Sequence, residues 1–316
     1  MTLTADPLTH ADRLMRRLRL RHIELLAVLG QVPTMHAASL KLNLSQPAIS
    51  KMLREIEEAF GSALFERSKS GVKPNAMGKV AVRRASVIRH ELAATAQEID
   101  LAQNGAGPLL RLGALSVTSV VPAAIVRLRR AVPGVIVHLR EGPVDILIGR
   151  LLVGELDCVV GALAPGILST SEMKHLAVQT ISKERLCVVS APDHELASGK
   201  RLTWATLHGS PWVLPPSETL VRQTFIAAHM QMGLIVPSAT VESLSPVTLS
   251  ALVRTDRQLL GLMRSEQMHG EQEHIGLVEL PVRPVFPLPS LSLFRRKSVS
   301  DSAPLVDRFL LSLHAT

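Results

Sequence analysis

Apolar positions recur at helical spacing in three bursts before residue 61. Leu18, Ile23, Leu26 and Leu29 predict a first helix over Arg13 to Leu29. A second runs from Thr34 to Leu42, with Thr34 able to cap it and Ala37 and Ala38 small enough for close packing. Asn43 and Leu44 make a turn, Ser45 is a good N-cap, and Pro47 sits in the first turn, where its missing N–H removes a group with no intrahelical partner. The third helix, Gln46 to Phe60, points Ile49, Leu53, Ile56 and Phe60 inward and Gln46, Ser50, Lys51 and Arg54 outward. Two short helices about a tight turn make a helix-turn-helix. Its outward amide, hydroxyl and cationic groups suit base edges and phosphates, although any amphipathic surface helix is polar outside.

Gly61 ends that helix, and Leu64-Phe65 opens a hairpin with its tip at Ser68 to Gly71. This wing offers Arg67, Lys69 and Lys73 to a sugar-phosphate backbone. From Ala76 to Gln103 there is no proline, and Val80, Val87, Leu92 and Ile99 form an apolar stripe too narrow for a buried helix, so another helix is its natural partner. Asn104 to Pro108 interrupts the pattern as a hinge. Strand-like and helical stretches then alternate: 109–115, 135–141 and 158–163 as strands, 119–131 and 144–156 as helices. The alternation resumes from Leu186 with LCVVSA, WVLP, a helix over 220–232, ATVES, a helix over 246–255 and LLGLM. A strand at 291–297 and a helix at 303–313 close the chain. Strands separated by helices imply βαβ units and a parallel-rich α/β sheet.

A chain of 316 residues suits two or three domains, and the absence of tyrosine makes the cores aliphatic. Arg111, Arg127 and Arg150 interrupt the richest apolar runs, and the first ten residues lack a signal-like pattern, so a soluble, cytoplasmic protein without membrane association is expected. Residues 1–100 hold 15 Lys/Arg against 10 Asp/Glu. Within them Arg67, Lys69, Lys73, Lys79, Arg83, Arg84 and Arg89 follow one another with no acid between, a run more suited to phosphate than to plain solvation when it follows a helix-turn-helix. Cys158 and Cys187 both lie in apolar runs and read as core thiols; only Cys187 has an arginine nearby.

Leu20 to Gly78 contains RHIELLAVL, SQPAISKMLREIEE and GSALFERSKSGVKPNAMG in that order. It resembles the N-terminal region of the LysR-type transcriptional regulators, and the similarity in layout extends over essentially the whole chain. Pro74-Asn75 stands where the family has Leu-Thr, and His36 where a smaller residue is common. The resemblance implies an N-terminal winged helix-turn-helix (1–75), a linker helix and hinge through which subunits dimerise (76–104), and an effector-binding domain (105–316). That domain would be a two-lobed, periplasmic-binding-protein-like α/β fold, with lobe I at about 109–183 and 284–316 and lobe II at about 184–283. The implied partners are a double-stranded DNA operator, a small-molecule effector, the chain itself as dimer or tetramer, and RNA polymerase. The DNA-binding candidates are Thr34, His36, Ser45, Gln46, Pro47, Ser50, Lys51, Arg54, Arg67, Lys69 and Lys73. RLGALSV and GELDCVVGAL are similar to the branch that regulates sugar uptake and aromatic-acid breakdown.

Ligands of open α/β sheets settle beyond the carboxyl ends of strands, where helix N-termini present unpaired N–H groups. Two such clusters are expected to bind effector: Ser116, Thr118 and Ser119 after the first strand of one lobe, and Ser217 and Thr219 after WVLPP in the other. Gly161 and Glu242 stand at the ends of later strands. Capping of their own helices is an equal role for the hydroxyls. Two helix N-termini, with Arg222 or Arg264 adding charge, favour a small carboxylate as effector; Glu218 and Glu242 weigh against it. No catalytic motif is present: Gly71 to Val80 fails as a phosphate loop, and GxSxG, HExxH and CxxC are absent. The cluster of His269, Glu271, Glu273 and His274 reads as a solvated connection rather than a metal site. No cofactor, metal or enzymatic activity is expected; the alternative is an enzyme or plain binding protein built on the two lobes.

Overall fold

The computed structural model describes residues 12, 14–68, 71–115, 120–164, 166–198, 201–269, 276–297 and 304–314. It divides into two compact units, one of Met1–Gly105 with Arg150–Leu156, the other of Ala106–Gly149 with Asp157–Thr316.

The first unit begins with a helical turn over 14–17 and then breaks, because Arg19 is extended (φ −117°, ψ 160°) and caps a separate helix α1, Leu20–Leu29. The single helix expected from Arg13 is therefore two pieces, and Arg13 itself lies outside the described residues. α2 (Met35–Leu42) and α3 (Gln46–Phe60) form the helix-turn-helix, with Asn43 in the left-handed region at φ 53° between them. Leu25, Leu26, Leu29, Ala38, Ile49, Leu53 and Ile56 are its core. The wing is an antiparallel pair, β1 (Phe65–Ser68) and β2 (Gly71–Pro74), with Phe65 opposite Pro74 and Ser68 opposite Gly71. It is tied down at both ends. Glu57 Oε1 on α3 accepts the N–H groups of Leu64 and Phe65 at 2.8 and 3.2 Å, and Pro33 O accepts Val72 N–H at 2.9 Å.

α4 spans Ala76–Gln103, and Asn75 caps it through Oδ1 to Gly78 N–H at 2.9 Å, so the Pro74-Asn75 departure costs no cap. Its exposed apolar side chains are Met77, Val80, Ile88, Leu92 and Ile99. Val87, expected on that stripe, is instead half-buried, with Gly154 packed against its backbone, and Ile88 takes the exposed place. Gly78 is where α4 passes closest to the wing: a Cβ there would sit 2.0 Å from Leu64 O.

In the second unit one sheet runs in the order β4-β3-β5-β13-β6-β10-β8-β9, with β11 also on β6. β3 (Leu109–Ala114) is parallel to β4 (Ile136–Glu141) and β5 (Cys158–Gly161); β8 (Trp212–Leu214) is parallel to β9 (Val241–Glu242) and β10 (Leu260–Arg264). Between these parallel halves lie β6 (Leu176–Ser190) and β13 (Pro287–Arg296), antiparallel to each other and to their neighbours β10 and β5. β6 serves both halves: residues 176–185 pair with β13, and 186–190 with β10 and β11 (Val278–Leu280). Its first ten residues, LAVQTISKER, lack the apolar density of a buried strand, which is why only the part from Leu186 was expected.

Helices α5 (Val120–Ala131), α6 (Val144–Leu152), α8 (Leu220–Gln231), α9 (Pro246–Thr255) and α11 (Pro304–His314) alternate with the strands, and a single turn, α7 (Thr170–Met173), precedes β6. α6 stops four residues before the expected Leu156, since Gly154 turns the chain at φ 89°. The ATVES stretch contributes only the two residues of β9 to the sheet. Two further short strands, β7 (Leu202–Thr203) and β12 (Val282–Arg283), pair in parallel. Leu110, Leu112, Leu128 and Phe309 anchor one core; Trp212, Phe225 and Leu262 anchor a second. Trp212 is fully buried in that core, with its ring 5.4 Å from that of Phe225.

Because Leu64 O is backbone and cannot step aside cheaply, Gly78→Ala should destabilise the first unit by about 1–3 kcal/mol. Urea unfolding followed at the DNA-binding unit checks this.

Candidate nucleic-acid interface and effector site

The face of α3 opposite its core stripe is open. Gln46, Pro47, Lys51 and Arg54 are exposed and Ser50 is half-exposed, while Ile49, Leu53 and Ile56 are fully buried. Ser45, itself exposed, caps the helix from Oγ to Ala48 N–H at 3.4 Å. Thr34 caps α2 by accepting Ala37 N–H at 3.0 Å, and His36, one turn in, is exposed. Both helices of the helix-turn-helix thus begin at a hydroxyl cap, and the second cap opens the polar face of α3. Lys73 on β2 is exposed; the side chain of Arg67, and Lys69 altogether, lie outside the described residues. On α4, Arg83 is held below the usual guanidinium range by burial and then by the neighbouring charge of Arg84. Lys41, which the periodicity did not single out, joins this unit's cations and donates to Gln31 Oε1 at 2.7 Å.

Beneath the face, α1 and α3 meet through a buried imidazole. His22 is 2% exposed, its Nδ1 accepts Arg19 N–H at 3.3 Å, and Nε2 lies 3.2 Å from Glu55 Oε2. Burial lowers its pKa, and the opposing pull of Glu55 does not make up the difference.

Among the effector candidates, Ser116, Thr118 and Ser119 lie outside the described residues. Thr219 caps α8, accepting Arg222 N–H at 3.3 Å and donating to Pro216 O at 2.7 Å, so its hydroxyl is committed to its own helix. Ser217 is exposed and its Oγ is 3.4 Å from Glu218 Oε2. Glu242 is exposed at the end of β9, close enough to Arg222 to bias its charge. Arg222 donates from Nη2 to Pro237 O at 3.1 Å. Gly161 presents no open surface: the space a Cβ would need is filled by Val144, at 2.5 Å. Arg264, expected to add charge for an effector, is instead 4% exposed and turned to Glu184 and Pro289 O. What does reach the start of α5 is a side chain not foreseen, Glu266, whose Oε1 accepts Val120 N–H at 3.2 Å. Its signal is one acid directly after a buried strand, in LGLMRSEQ, and nothing in that spacing points across the fold.

Residues 20–79 match the pattern described as "Bacterial regulatory helix-turn-helix protein, lysR family", and residues 103–315 match "LysR substrate binding domain". The chain belongs to the LysR family. It is a DNA-binding transcriptional regulator with an effector-binding domain. It is 34% identical over 241 residues to the HTH-type transcriptional regulator GbpR of Azospirillum brasilense, covering 75% of this chain and 69% of that one. To the HTH-type transcriptional regulator PcaQ of Agrobacterium fabrum it is 26% identical over 242 residues, 76% of each chain. A full-length OxyR variant from Pseudomonas aeruginosa shares the fold with a TM-score of 0.60 at 23% identity, over 94% of this chain and 97% of that one. CbnR, a LysR family transcriptional regulator, does so with a TM-score of 0.51 at 18% identity, over 94% and 100%.

The thiols of this LysR-family chain lie in its cores. Cys158 and Cys187 are both buried, and burial pushes each thiol well above its usual range. Arg185 does lie beside Cys187, with Nη1 2.9 Å from Sγ, but its guanidinium is engaged by both carboxylate oxygens of Glu279. No helix among the described residues is long and apolar enough to cross a membrane, and no group of three metal-ligating side chains occurs among them.

His22 supplies a pH test. Since the folded state prefers the neutral ring, the unfolded chain binds the proton more tightly, and stability present above the unfolded value near 6.5 is lost as pH falls below it. Denaturant midpoints of the first unit should therefore decline from pH 6.5 to about 5, and His22→Gln should flatten that slope. An unchanged slope in the variant would assign the effect to other groups.

Proposed function

We propose that this regulator reads its operator with Gln46, Ser50 and Arg54 in the major groove, while Lys51, Arg67, Lys69 and Lys73 hold phosphate. Thr34, His36, Ser45 and Pro47 position the two helix N-termini against the backbone. The observation that carries the reading is the division of α3: a fully buried stripe of Ile49, Leu53 and Ile56 leaves a single open polar face, and that face begins at a capped N-terminus. Gln offers a donor and an acceptor to an adenine edge, Arg reads guanine, and Lys neutralises phosphate.

The exposed stripe Met77, Val80, Ile88, Leu92 and Ile99 on α4 is the seam at which two copies pair, which places two reading faces on one operator. The α/β unit binds a small metabolite co-inducer, a small carboxylate, at the strand ends that carry Ser217, Thr219 and Glu242, and the occupied form changes the DNA contacts and the engagement of RNA polymerase. Operator DNA puts this work in the cytoplasm.

Gln46→Ala should cost roughly 1–3 kcal/mol on the operator and little on random DNA. Lys73→Ala should weaken both alike and lower the salt dependence of binding by about one counterion. Gel shifts on genomic fragments across a salt series measure both; equal losses on the two DNAs for Gln46→Ala would remove it from base reading.

Ile88→Asp or Leu92→Asp should give monomers with lost operator affinity and an intact fold. Sedimentation showing an unchanged dimer for both variants would move the seam elsewhere.

A further inference from the structure

β6 and β13 pass from one half of the α/β unit to the other at a point where two opposite charges are almost fully buried, Glu184 at 5% and Arg264 at 4% exposure. The register of β13 slips between Leu288 and Leu291, and the Pro289 carbonyl in that slip accepts Arg264 Nη2 at 3.0 Å. Arg264 Nε is 3.9 Å from Glu184 Oε2. Glu184 in turn accepts three hydrogen bonds: Ser182 Oγ at 2.7 Å on Oε1, and Ser265 Oγ and Glu266 N–H at 3.0 and 2.9 Å on Oε2. The last two belong to the start of a short helix, α10 (Ser265–His269), that follows β10 directly. Its first two residues are therefore pinned to a buried carboxylate.

Pinning the backbone of Glu266 aims its side chain. Oε1 reaches the N–H of Val120, the first residue of the twelve-residue helix α5, 146 positions away in the chain. α5 follows β3 and belongs to one parallel half; α10 follows β10 in the other. A carboxylate is the group that a helix N-terminus favours, both as acceptor and as charge against the helix dipole.

We propose that Glu266 is a built-in latch: its carboxylate, aimed by Glu184, ties the start of α5 to the opposite lobe, and an anionic effector acts by displacing it. The second half of this statement rests on the carboxylate reading above. The first does not. A single hydrogen bond of this kind between lobes is a two-state element, made or broken, and a ligand that competes for Val120 N–H biases it toward the broken state.

Chemical rescue in the full-length chain tests the latch. Glu266→Ala should melt below the parent in sodium chloride and recover when acetate replaces chloride at equal ionic strength, because acetate returns the missing carboxylate; acetamide should give no recovery. The parent should show only the smaller, general effect of exchanging the two salts. Val120→Pro deletes the N–H while keeping a residue suited to the first helical position, so Glu266→Ala should cost less stability in the Val120→Pro background than in the parent. Equal acetate responses in parent and Glu266→Ala, or additive losses in the double variant, would overturn the latch. Should Glu266→Ala fail to fold, Glu266→Leu, which keeps side-chain bulk but has no acceptor, carries the same test: exchange of the Val120 amide should run roughly tenfold faster than in the parent, and unchanged exchange would reject the contact. None of these readouts needs the natural effector or DNA. A regulator whose operator complex answers only to neutral compounds would remove the displacement step and leave the acetate rescue standing.

Discussion

The buried pair of Glu184 and Arg264 is the constraint on which the α/β unit turns. Two charges in a sheet interior are tolerated only when their hydrogen-bonding groups are met, and here Ser182, Ser265, the Glu266 amide and the Pro289 carbonyl meet them. Removing one partner of such a pair costs about 3–5 kcal/mol, because the other charge is left buried. The same groups lie where β6 and β13 serve both halves of the sheet. Satisfying the pair therefore also sets the slip in β13 and the direction of α10, and the two parallel halves are joined by a polar cluster rather than by apolar packing alone.

The DNA-binding unit follows the same rule with one charge instead of two. Glu57 is on the recognition helix, yet its carboxylate binds the amides that open the wing, so the helix and the wing are placed relative to each other by a charge-assisted contact. Close backbone approach does the rest: Gly71 lets β2 meet the Pro33 carbonyl, and Gly78 lets α4 pass Leu64. The polar face of α3 and the cation of β2, Lys73, belong to elements that these contacts hold in one unit.

The effector side is organised more tightly than hydroxyl clusters at helix N-termini suggest. Thr219 is spent on its own cap, Gly161 on Val144, and Arg264 on Glu184. Among the described candidates these three groups already have partners, so a ligand that used them would have to replace those contacts. An effector with no differential affinity for the two arrangements changes nothing, however tightly it binds.

Period and capping in the sequence sufficed for α2, α3, α4, the wing and the alternation of the lobes, because those features are local: a stripe at helical spacing, a serine before a proline, an asparagine before a long helix. The open face of α3 was legible for the same reason, since burying Ile49, Leu53 and Ile56 leaves Gln46, Lys51 and Arg54 nowhere else to point. Tertiary structure alone decided what depends on partners distant in the chain. The weakly apolar start of β6 becomes a strand because β13 lies beside it, Val87 leaves the exposed stripe because Gly154 packs against it, and Trp212 is fully buried where Phe225 meets it edge to face. Glu266 reads in sequence as an ordinary acid after a strand. Its meeting with Val120, 146 residues away, is a property of the folded chain, since no local spacing encodes a hydrogen bond between two lobes.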